Sequence, residues 1–66
     1  MKKYKASGYS IFGYNQLITD DLDVAIDKAF NWSMDNIDCD FAVEQLDVEN
    51  NKSIVLMKFR NGGAVA

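Results

Sequence analysis

The chain has no histidine, a single cysteine and no long apolar run. Without histidine it lacks the side chain best suited to proton transfer near neutral pH. Cys39 has no second cysteine to join, so an internal disulfide is excluded and a reducing cytoplasm is the expected setting. Asp38 and Asp40 flank that thiol, and negative neighbours suppress thiolate formation. Ser7, Ser10, Ser33 and Ser53 have no general base in their sequence context. Nothing approaches the roughly 20 apolar residues that span a bilayer, and Lys2, Lys3 and Lys5 are not followed by an apolar signal segment. Internal repeats and linkers are missing too. These gaps exclude the common enzyme classes and predict no cofactor and no membrane association.

What remains is a chain of 66 residues with a hydrophobic fraction of 48% and a net charge of −3. One domain of this size lies near the lower limit for an unaided core, because short chains bury only about 60% of their unfolded surface. A second copy could supply further burial. The acidic balance, with a pI of 4.5, disfavours generic nucleic-acid binding. Charge is nevertheless segregated. Lys2, Lys3, Lys5, Lys58 and Arg60 lie near the ends, and most aspartates lie between Asp20 and Asp40.

The clearest local signal runs from Thr19 to Ser33. Leu22, Ala25, Ile26, Ala29 and Phe30 recur at the spacing of one helix face. Thr19 or Asp20 can accept from the free N–H groups of the first turn, and Asp21 and Asp23 suit the positive end of the helix dipole. Val24 falls on the water side, Trp32 at the flank, and the helix is predicted to stop at Met34. Residues 3–9 and 13–19 read as two strands, with Gly8 and Gly13 as the flexible points. Residues 41–49 and 53–60 read as a hairpin around Asn50 and Asn51, a pair that tolerates positive φ. That register sets Glu49 opposite Lys52. It places Ala42, Leu46 and Val48 with Val55, Met57 and Phe59 on the core face, with Glu44 as a misfit, and turns Phe41, Val43, Ile54 and Leu56 outward.

The expected fold is therefore α+β: a single antiparallel sheet of three to four strands in the order β-β-α-β-β, covered on one face by one helix. The domain is expected over residues 1–60, with 61–66 as a flexible tail.

Asp35, Asp38 and Asp40 could offer oxygens to a hard cation, but the glycine and bidentate glutamate of a calcium loop are missing. They read as solvated loop acids, and Asp20, Asp21, Asp23 and Asp27 as capping and surface residues. Protein binding has positive support, since tyrosine and tryptophan are enriched at interface hot spots. The expected anchors are Tyr9, Tyr14, Trp32 and Phe41, with Lys58 and Arg60 setting charge complementarity. A second reading uses the basic ends and neighbouring aromatics to grip a single-stranded nucleic acid. A third makes the outward sheet face the interface of a homodimer.

Lys2-Lys3-Tyr4-Lys5, the cap Thr19-Asp20-Asp21 and the Ala25/Ala29 helix spacing together resemble small bacterial and phage β-β-α-β-β proteins. The pattern looks like the DpnD/PcfM-like domains of mobile elements and is similar in plan to some single-domain anti-CRISPR proteins. HicB-type antitoxin domains share the early β-β-α order, but this chain lacks their Gly-Pro-rich turn and DNA-binding extension. The resemblance implies a phage-encoded inhibitor that binds a host protein or ribonucleoprotein defence complex in the host cytoplasm and acts by steric occlusion.

Overall fold

The structure is a computed structural model that describes residues 2–65; Met1 and Ala66, the outer ends of the expected domain and tail, lie outside the described residues. Five strands and one helix follow one another as β1 (Lys3–Ser10), β2 (Gly13–Thr19), α1 (Leu22–Asp35), β3 (Phe41–Asp47), β4 (Lys52–Arg60) and β5 (Gly63–Val65). The strands form one antiparallel sheet in the order β2-β1-β3-β4-β5, with α1 packed on one face. The α+β plan is as the sequence predicts, with one strand more than expected.

That strand comes from the segment read as a tail. Asn61 and Gly62 take positive φ of 52° and 76°, which suits the tight two-residue connection between Arg60 and Gly63. The next residues fold back so that Ala64 pairs with Phe59 and Val65 with Lys58. The turn is tied to the helix, since the Gly62 N–H donates to Ser33 Oγ at 3.1 Å.

Helix α1 begins later than the sequence predicts, and neither Thr19 nor Asp20 is its N-cap. Asp21 is the N-cap and its carboxylate accepts from the Asp23 N–H at 3.0 Å, while Thr19 Oγ1 accepts from the Asp21 N–H at 3.1 Å. Asn36 closes the other end, its backbone N–H and its side-chain amide both donating to the Trp32 carbonyl. The line of closest approach to the sheet consists of Ala25, Ala29 and Ser33, all fully buried. Such short side chains let the helix settle directly onto Ala6, Phe41, Val43 and Phe59. Leu22 and Ile26 are partly buried against this core. Phe30 lies at its border and meets Phe59 edge to face, with ring centroids 5.9 Å apart.

The face expected inward on β3 is the outward one. Phe41 and Val43 are buried, whereas Val48 lies beyond the strand end and is exposed. The pairing departs from the expected one in two ways, and the second exchanges the faces. The β3–β4 connection holds four residues, so Asp47 rather than Glu49 pairs with Lys52. A bulge then follows: Glu44 pairs with Val55 and Val43 with Met57, leaving Leu56 as an extra residue. One inserted residue reverses the alternation of side chains along a strand. Met57 and Phe59 thus share a face with Val43 and Phe41, and Val55 falls on the other side with Glu44. The misfit at Glu44 disappears, because its carboxylate meets Lys5 Nζ at 3.3 Å on the uncovered face.

Candidate functional site

An apolar tip at one end of the sheet

The β1–β2 connection carries two large apolar residues at its apex. Ser10 Oγ accepts from the Phe12 N–H at 3.1 Å and donates to the Gly13 carbonyl at 3.3 Å. Gly13, at φ 125°, adopts the conformation that a residue with a Cβ would resist. Ile11 and Phe12 are left projecting from the turn. Antiparallel pairing of Gly8 with Phe41 brings the α1–β3 loop to this same end. There Ile37 also projects. Ile11, Phe12 and Ile37 are 85%, 89% and 77% exposed, the three highest values among the large apolar side chains of the described residues. Between hairpin and loop runs a shallow groove of about 270 Å³ lined by Ile11, Phe12, Asp35, Asn36, Ile37 and Cys39.

The loop that presents Ile37 is held in shape. Asp38 takes a positive φ of 62°. Its N–H donates to Asn61 Oδ1 at 2.9 Å, and Asn61 Nδ2 donates back to Asp38 Oδ1 at 3.2 Å. Arg60 lies alongside, with Nη1 3.7 Å from Asp40 and Nη2 4.0 Å from Asp38. These groups are solvent-exposed, so the ion pairs contribute little to stability. They orient the carboxylates near the tip. The end of the molecule therefore shows an apolar patch with an acidic rim of Asp35, Asp38 and Asp40.

Of the anchors expected from the sequence, Tyr9 and Tyr14 come together. They are cross-strand partners on the uncovered sheet face, with ring centroids 4.8 Å apart. Phe41 does not join them, because it is fully buried. Trp32 covers it from the helix, at 5.7 Å between ring centroids, with Lys28 Nζ 5.4 Å from the indole centre. Phe41 is a packing residue, whereas it had been expected to contact a partner; Trp32 packs on it and stays partly exposed. Lys58 lies on the uncovered face opposite Ala42, and Arg60 is drawn to the loop acids.

Ile11 and Ile37 were not singled out in the sequence, and Phe12 counted only among the aromatics of the nucleic-acid reading. Residues 10–12 fell between the two predicted strands, but a connection between strands gives no sign of how far its side chains project. Ile37 had no signal, since its exposure depends on the backbone path between Asn36 and Cys39.

Among the described residues no group of three His, Cys, Asp or Glu side chains is placed to hold a metal ion. Among the same residues no helix is long and apolar enough to cross a membrane. No protein-family model matches this chain, and neither the curated proteins nor the solved structures hold a significant match to it.

Proposed function

We propose that this protein is a non-enzymatic binding module that seats its apolar tip in a cleft of another protein. The observation that carries this reading is the clustering of Ile11, Phe12 and Ile37 at one end, exposed on rigidly braced turns. Leaving such side chains in water forgoes roughly 1.5–3 kcal/mol each, free energy that becomes available when a partner covers them. Contiguous apolar surface with a polar border is the usual mark of an interaction site. The acidic rim specifies the partner further: its cleft is apolar and bordered by lysine or arginine, which also speeds and orients encounter. Tyr9 and Tyr14, beside the tip, extend the contact area. An inhibitor acting by steric occlusion is one use of such a module, and that narrower role rests on the resemblance to mobile-element proteins alone.

The test is capture from lysate of the native cell, comparing the unaltered protein with Phe12→Asp, Ile37→Asp and, on the solvent side of the helix away from the tip, Val24→Asp. All three positions are exposed, so circular dichroism should show an unchanged fold. One protein or complex recovered by the unaltered chain and by Val24→Asp, but lost with both tip variants, supports the reading. Recovery that ignores the tip variants, or recovery of nucleic acid alone, overturns it.

A further inference from the structure

Strand β4 is nine residues long, yet among the described residues β5 pairs only with Lys58, Phe59 and Arg60. The lane beside Ser53–Met57 is open among the described residues. Ile54, Val55 and Leu56 in this run are 63%, 50% and 39% exposed. Where β5 gives out, a groove of about 320 Å³ is lined by Val55, Leu56, Met57, Lys58 and Val65. Sheet edges are ordinarily shielded by a charge inside the exposed run. Here the run has none, and its two lysines, Lys52 and Lys58, stand at the ends instead. Among the described residues neither ammonium group lies within 4.0 Å of a carboxylate.

We propose that this edge takes up an extended segment of another protein as a sixth strand, one with an apolar centre and a carboxylate toward each end. Backbone N–H and C=O groups along Ser53–Met57 would supply the pairing, and alternate side chains of the guest would lie on Val55 and Leu56. The lysines choose the guest. They are six residues apart, but the bulge at Leu56 sets them five pair positions apart, about 17 Å along a strand, so acids at the two ends of a short segment reach both. A second copy of this chain is a poorer occupant. Antiparallel pairing centred on the open run sets Lys52 of each copy toward Lys58 of the other, and opposed like charges are destabilising. This edge is separate from the apolar tip, so the two sites can be tested apart.

The probe is an acetylated, amidated hexapeptide, Glu-Val-Thr-Val-Thr-Glu, with Lys-Val-Thr-Val-Thr-Lys as its control. Hydrogen exchange should show the amides of residues 53–57 protected by the acidic peptide, and fluorescence anisotropy should show at least tenfold weaker binding of the basic one. Reversing the host charges with Lys52→Glu and Lys58→Glu together should reverse that preference. Val55→Lys should abolish uptake, and Phe12→Asp should leave it unchanged. The proposal is overturned if the acidic peptide protects none of these amides, or if both peptides bind alike. It is equally overturned if those amides gain protection with protein concentration alone, which would make the guest a second copy.

Discussion

Ser33 and Gly62 join the end of the helix to the last turn of the sheet. The buried Ser33 hydroxyl donates to the Phe30 carbonyl at 2.7 Å and accepts from the Gly62 N–H at 3.1 Å. Two distant parts of the chain thus meet through one small polar side chain where leucine or methionine would force them apart.

Replacing that hydroxyl should loosen the final hairpin. In Ser33→Ala the Gly62 N–H loses its partner, at a cost of about 1 kcal/mol for the missing hydrogen bond. For a domain of this size that is a fall in melting temperature of roughly 4–8 °C. Hydrogen exchange should quicken at residues 63–65 before it does in β1.

Gly8 should tolerate no side chain. A Cβ there would lie 2.4 Å from the Asp40 carbonyl oxygen and 2.5 Å from the Phe41 ring. One of these neighbours is backbone, so relief requires the start of β3 to move. Gly8→Ala should cost about 1–3 kcal/mol, the range for overpacking, read as a lower urea midpoint.

Phe41 and Phe12 should behave as opposites, although both are phenylalanines beside a strand end. Phe41→Ala removes a fully buried ring and should cost about 3–5 kcal/mol. A domain of 66 residues holds on the order of 3–10 kcal/mol in all, so this variant should be largely unfolded. Phe12→Ala should leave the urea midpoint unchanged within about 0.5 kcal/mol, the usual span for surface substitutions. A large loss on removing Phe12 would mean that the tip belongs to the core.

Asp47 should titrate below the ordinary carboxylate range. The Asn50 side chain donates to Asp47 Oδ2 at 2.7 Å and the Asn50 N–H donates to Oδ1 at 3.3 Å, and both bonds favour the charged form. A depressed folded-state value means that the stabilisation is present above the unfolded value, near pH 4, and fades as pH falls through the lower folded one. NMR titration of the Asp47 carboxyl carbon should show this, and Asn50→Ala, which removes the side-chain donor and keeps the backbone one, should raise its midpoint part of the way toward the ordinary range.

The helix and the two strands before it could be read from residue order, because a 3.6-residue period and a run of strand-forming side chains act over a few neighbours, whereas the choice of Asp21 over Thr19 or Asp20 as the cap could not. Exposure of Tyr9, Tyr14 and Val24 could be read in the same way. The inward face of β3 could not. It turns on the extra residue at Leu56, and no short-range signal separates a bulged strand from a regular one. The fifth strand was hidden for a related reason. Gly63, Ala64 and Val65 carry no period of their own and are ordered by pairing with β4, while Gly62 is tied to Ser33, 29 positions earlier. The apolar tip arises in the same manner, since Ile11 and Ile37 become neighbours only when β1 and β3 pair. Local periodicity places the elements. Packing between remote segments, acting through register and a single inserted residue, chooses which side chains the protein shows to others.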